Sequence, residues 1–114
     1  MIERDAVIGA VFDAWMMHPG WKRGTTTPQQ ADLKIERIVE HIDHICQLAG
    51  NTRHCGIGSD LDGGYGTEQT PMDLQSIADL QRLTTILEDR GYSLADVEAI
   101  MHGNWIRRLN EIWS

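Results

Sequence analysis

The sequence predicts an α/β fold with parallel strands, and three observations predict it. Two short runs of small and apolar residues read as strands buried on both faces, a long amphipathic helix lies between them, and further helical stretches follow. Strand, helix and strand over this distance make a right-handed crossover, the repeating unit of an α/β barrel or an open α/β sheet.

The first run, Ala6 to Phe12, is continuously apolar rather than alternating, as in a strand covered on both sides. After a loop, Thr27-Pro28-Gln29-Gln30 supplies a capping residue, a proline at the first helical position and a glutamine three residues after the cap, which predicts a helix start there. Behind it Ile35, Ile38, Val39, Ile42, Ile45, Cys46 and Ala49 form one apolar stripe that ends at Gly50. His54 to Asp60 reads as the second strand, stopping at a carboxylate. Gly63 to Thr67 predicts a loop and Pro71 a turn. From about Leu74 to Arg90 the positions Leu74, Ile77, Leu80, Leu83 and Leu87 predict a helix ended by Gly91. Ser93 is expected to cap a short helix through about Met101, and Asn104 a last one carrying Trp105, Ile106, Leu109 and Ile112.

Composition bounds what such a chain does. Of 114 residues, 41% are hydrophobic and 24% charged, the balance of a packed domain rather than a disordered one. Ten Lys and Arg against 17 Asp and Glu give a formal charge of −7, which argues against nucleic acid and anionic membranes as partners. Cys46 and Cys55 are too few for a disulfide framework and read as buried thiols. The apolar segment from Ala6 to Met17 is interrupted by Asp13 and far shorter than a membrane span, so the expected location is cytoplasmic.

A parallel pair needs neighbours on both edges to satisfy its backbone groups, so the predicted sheet looks unfinished. An eight-stranded α/β barrel takes about 250 residues. The expected fold is therefore a single partial domain over residues 1–114, a C-terminal fragment of a (β/α)8 TIM-type barrel with about two parallel strands and three or four helices.

Candidate chemistry centres on Gly56-Ile57-Gly58-Ser59-Asp60-Leu61-Asp62-Gly63-Gly64, where a strand of small residues delivers Asp60 to its C-terminal end. That end is where α/β barrels hold their catalytic groups. The plainer reading has Asp60 and Asp62 capping a turn or the helix that follows.

The same nine residues resemble the last-strand signature of the membrane dipeptidases. The likeness runs on through His41-Ile42-Asp43-His44-Ile45, Leu48-Ala49-Gly50, Gly66 to Pro71, Asp79-Leu80, Arg90-Gly91-Tyr92-Ser93 and Met101-His102-Gly103-Asn104-Trp105. It implies a distorted α/β barrel with two zinc ions that hydrolyses dipeptides, with Asp60 as the catalytic acidic residue beside the metals. The family's metal ligands would all lie upstream of this chain's first residue. On that basis the isolated chain is expected to bind no zinc tightly and to be inactive, its partners being a dipeptide in the complete enzyme and either the missing N-terminal barrel portion or further copies of itself.

Two other readings stay open. A non-catalytic, self-associating α/β module derived from the barrel fits the unfinished sheet, and a self-contained hydrolase could use His41, His44 and Asp60 around one metal. The histidines, however, flank the apolar stripe of their helix without a third ligand. Trp15, Trp21, Trp105 and Trp113 are expected mainly in the core, with some of that surface meeting the absent remainder.

Overall fold

A computed structural model describes residues 1–114. Strands β1 (Ile8–Ala10) and β2 (Cys55–Ile57) pair in parallel, with Ile8 opposite Cys55, Gly9 opposite Gly56 and Ala10 opposite Ile57. The ladder runs past both strands: Ile8 N–H donates to His54 O at 2.8 Å, Gly58 N–H to Ala10 O at 3.0 Å, and Phe12 N–H to Ser59 O at 3.1 Å. Small residues permit this closeness. A Cβ added to Gly9 would lie 3.0 Å from the Cα of Gly58.

Helix α1 (Ala14–Met17) follows β1, capped by Asp13, whose Oδ1 accepts from Trp15 N–H at 2.9 Å. The crossover is α2 (Glu36–Ala49), which buries Ile38, Val39, Ile42 and Cys46 and ends where Gly50 takes the left-handed conformation at φ 73°. Then come α3 (Arg82–Asp89), α4 (Leu94–Glu98) and α5 (Asn104–Trp113). The core gathers Phe12, Met17, Ile35 and the stripe of α2 with Leu83, Leu87, Val97 and Ile100. Both cysteines are free and buried, as their composition suggests. No helix is long and apolar enough to cross a membrane.

Three boundaries differ from the sequence reading. The Thr27 capping box forms, with Gln30 N–H donating to Thr27 Oγ1 and Thr27 N–H to Gln30 Oε1, both at 3.1 Å. It closes only one turn, because Asp32 takes a positive φ of 48° and breaks the helical run before α2 begins. The segment before α3 is a 3₁₀ turn over Ile77–Gln81, started by a second capping box between Ser76 and Asp79. Three residues per turn put Ile77 out of phase with an α-helical stripe, and it is 72% exposed while Leu74, Leu83 and Leu87 are buried.

Asn104 does not cap a new helix. A π-helical turn, Ala99–Gly103, joins α4 to α5 without a break, and Asn104 turns its amide inward to donate to Thr52 O at 2.6 Å and Cys55 O at 2.7 Å. The extra residue of a π turn shifts the helix face. Adjacent residues Asn104 and Trp105 thereby both reach β2, Trp105 Nε1–H donating to Ile57 O at 3.0 Å.

The tryptophans divide. Trp21 is buried and Trp105 half-buried against the sheet, but Trp15 and Trp113 are 54% and 78% exposed. The apolar face of α5, with Ile106, Leu109 and Ile112, is exposed beside Trp113.

Candidate functional site

Because the strands are parallel, their C-terminal ends lie together, and each ends in an aspartate: Asp13 three residues beyond β1, Asp60 three residues beyond β2. Asp60 is exposed and has a positive φ of 59°. For a residue other than glycine that conformation is sparsely populated, and Asp is among the few that tolerate it. Gly63 makes room beneath it. A Cβ at Gly63 would lie 2.7 Å from Asp60 Oδ1, 2.9 Å from Asp60 O and 3.0 Å from Tyr65 Cε1. The missing side chain lets the Asp60 carboxylate and the Tyr65 ring fold over the same point of backbone. Gly63 N–H also donates to Asp60 O at 3.0 Å, closing the turn.

Asp13 is the buried counterpart, only 4% exposed. Its Oδ1 accepts from Gln69 Nε2 at 2.7 Å as well as from Trp15 N–H, and Arg23 Nη2 stands 3.8 Å from Oδ2. Gln69 lies in the turn Thr67–Gln69, so this bond ties the loop after Asp60 to the end of β1. Tyr65, whose ring shares the space at Gly63 with the Asp60 carboxylate, has a hydroxyl buried without a hydrogen-bond partner. Burial, and then the negative charges of Asp60, Asp13 and Asp62, push its phenol up to about 12. A pocket of about 440 Å³ opens beside the loop, walled by Ser59, Leu61, Tyr65, Thr70, Leu74 and Ile77.

Asp62, on the same turn, is exposed and lines the pocket mouth. His41 and His44 are exposed on α2, and they are not gathered with Asp60: nowhere do three or more His, Cys, Asp or Glu side chains come together in a way that would hold a metal ion. The one-metal site built from those three residues is therefore not formed. By the same measure, the residues present do not fit a zinc centre of their own.

Sequence reasoning placed Asp60 but passed over Asp13, Gln69 and Tyr65. Asp13 carried the same signal as Asp60, a carboxylate just past a doubly buried strand, yet it read as an interruption of an apolar segment. Gln69 and Tyr65 gave no local signal, since their roles arise from contacts 56 residues apart for Gln69 and from burial for Tyr65.

Comparison with known proteins adds an independent line. The profile of the family described as membrane dipeptidase (Peptidase family M19) matches residues 1–113. An uncharacterized Klebsiella pneumoniae protein from the pqqA 5′ region is 30% identical over 107 residues, which is 94% of this chain and 35% of that protein. An uncharacterized dipeptidase of Schizosaccharomyces pombe is 32% identical over 81 residues, covering 71% of this chain and 19% of its own length. The dipeptidase aclJ of Aspergillus oryzae is 33% identical over 88 residues, 76% of this chain and 20% of its own. The chain thus spans between about a fifth and about a third of the length of the curated relatives it matches.

Proposed function

The chain belongs to the membrane dipeptidase family, and from that premise we propose that it is the C-terminal part of a two-zinc dipeptidase barrel in which Asp60 is the catalytic carboxylate. The observation that carries the reading is the placement of Asp60, exposed past the end of a parallel strand on a turn that Gly63 leaves open. In an α/β barrel that end of the sheet faces the substrate. The eight-stranded architecture is supported by the parallel pair, the helical crossover and the longer relatives.

In the complete enzyme the metal ligands come from the portion that this chain does not span. This chain's own residues account for proton handling and for part of the binding surface. The Asp60 carboxylate accepts a proton as water attacks the scissile carbonyl and returns it to the departing amine, the work of a single group acting first as base and then as acid. Asp13, Gln69 and Gly63 hold the loop that carries it.

The test is made in a complete enzyme carrying this C-terminal part. Asp60→Asn keeps the fold and the zinc but lowers turnover by about a hundredfold or more, the typical weight of a general acid or base. Asp62→Asn costs far less. Loss of zinc on Asp60→Asn, or a larger effect from Asp62→Asn, would mean that the role or the carboxylate is wrongly assigned.

A further inference from the structure

A buried hydroxyl without a partner is rare in a folded chain, and each one asks for a cause. The Tyr65 phenol is such a group. Asp60, Asp13 and Asp62 lie near enough for their charges to act on it, yet none of the three accepts its hydrogen. No group from outside the chain reaches it as the loop stands, because the chain's own atoms already close the hydroxyl off. The other tyrosine makes the contrast: Tyr92 Oη–H donates to Asp43 Oδ1 at 2.6 Å.

Packing alone holds the ring in place. On one side Gly63 N–H donates to Asp60 O at 3.0 Å; on the other Gly66 N–H donates to Glu68 Oε1 at 2.9 Å, and Gln69 is tied to Asp13 at 2.7 Å. Between these anchors lie only Gly64 and Tyr65, and neither takes part in a main-chain hydrogen bond. Gly64 has a φ of 86°, and open space surrounds the point where a Cβ would stand. The Tyr65 ring can therefore leave its place without breaking a main-chain bond, and the pocket of about 440 Å³ that it helps to wall lies beside it.

We propose that Tyr65 turns out of the loop when a dipeptide binds and donates its hydroxyl hydrogen to the oxygen of the scissile carbonyl as that carbon becomes tetrahedral. This rests on the role proposed for Asp60 and deepens it. Asp60 serves the departing amine, whose nitrogen is bonded to the carbon that carries this oxygen. The Asp60 carboxylate and the Tyr65 ring already meet over Gly63, with Asp60 Oδ1 and Tyr65 Cε1 at 2.7 and 3.0 Å from the same point. A donor turning out from there starts next to the group that serves the nitrogen. The phenol, pushed up to about 12, keeps its proton throughout the neutral range. The oxygen gathers negative charge only as the bond to water forms, so the hydrogen bond is worth most in the transition state. In the resting loop the unpaired hydroxyl lowers stability, the usual trade of fold against activity.

Tyr65→Phe removes the hydroxyl and keeps the ring, and its two expected consequences run in opposite directions. In the free chain it should raise the urea midpoint or leave it unchanged, because an unpaired buried group is lost. Tyr92→Phe, which gives up the bond to Asp43, should lower it. In a complete enzyme carrying this C-terminal part, Tyr65→Phe should lower kcat by about a hundredfold, the low end for loss of one such donor, with KM nearly unchanged. A lower midpoint for Tyr65→Phe would mean that the hydroxyl is paired in solution, by a trapped water for example, and would overturn the proposal. Full turnover, or a higher KM with kcat kept, would overturn it too. Asp60→Asn measured alongside separates the two roles: loss of turnover with Asp60→Asn but not with Tyr65→Phe removes the donor and leaves Asp60 standing, and no loss with either removes both.

Discussion

Asp60 and Asp13 show how the same residue type, in the same place along two parallel strands, becomes an exposed carboxylate in one case and a buried fastener in the other. The difference lies in the residues just C-terminal to each. After Asp13 comes a helix whose first turn its carboxylate caps, while after Asp60 come Leu61, Asp62 and a glycine that leaves its carboxylate uncovered. Replacing Gly63 by alanine should therefore be more than a conformational change. The new methyl group would press on the Asp60 carbonyl and the Tyr65 ring, read as a lower urea midpoint with chemical-shift changes concentrated around residues 60 to 65. The phenols offer a second check. Tyr65 is pushed up to about 12 and Tyr92 is raised further, by burial first and then by its hydrogen bond to Asp43. Because folding favours the protonated phenol at both sites, stability falls as the pH rises above 10, the ordinary tyrosine value. Absorbance titration should show no tyrosine ionising near 10 in the folded chain, and both ionising together when it unfolds in alkali. The position of Asp60 past the end of a strand was legible because a run of small and apolar residues stops at a carboxylate. The burial of Tyr65 was not, since it depends on where a loop folds back.

At the scale of elements, the strands and α2 follow from periodicity, but the helix boundaries do not. The stripe of α2 works as read because its apolar spacing is met by a core on one side. The stretch from Leu74 to Arg90 has similar spacing, yet the Ser76 to Asp79 box imposes a 3₁₀ turn on its first half and moves Ile77 into solvent. In the C-terminal half the continuity of α4 and α5 through a π turn is invisible to spacing, because an inserted helical residue looks like a new start. Its use is specific: Asn104→Ala would strand Thr52 O and Cys55 O, two acceptors now bonded at 2.6 and 2.7 Å. At about 1–3 kcal/mol for each buried group left unsatisfied, denaturant unfolding should detect a loss of at least the lower figure. The N-terminal turn has its own anchor. Arg53 meets both carboxylate oxygens of Asp5 at 2.9 and 3.0 Å, and Arg107 of α5 reaches Oδ2 at 2.9 Å. The Arg53 hydrogen bond, aided by Arg107, lowers Asp5 from 3.8 to about 2. A depressed carboxyl stabilises the fold above its unfolded value, so this contribution is present above about 4 and fades as the pH falls toward 2. Asp5→Asn should flatten the acid limb of the stability profile over that interval.

For the molecule as a whole, sequence pattern led to an α/β chain with two parallel strands, and the structure has that form. The strands were visible because they are short, apolar and separated by one amphipathic helix. How the sheet ends was not, because the groups that close β2 come from a helix some fifty residues later. The proposed enzyme needs metal ligands that this chain does not assemble. After dialysis the free chain should therefore retain substoichiometric zinc by elemental analysis, and it should not hydrolyse a dipeptide. Stoichiometric zinc with turnover would place a complete centre within these residues and end the reading of the chain as a part.

The closure of β2 also fixes an order of events during synthesis. Cys55 O and Ile57 O wait for donors that are made 49 and 48 residues later. At the usual rate of about 5–20 residues per second, that leaves the strand's outer side bare for roughly 2 to 10 s, longer while the C-terminal helix is still inside the ribosome. During that interval β2 is a nascent strand with a vacant flank, open to chaperones or to a neighbouring chain on the same message. Emergence of the Asn104–Trp105 segment, rather than translation of the strand itself, is then the step that shuts it.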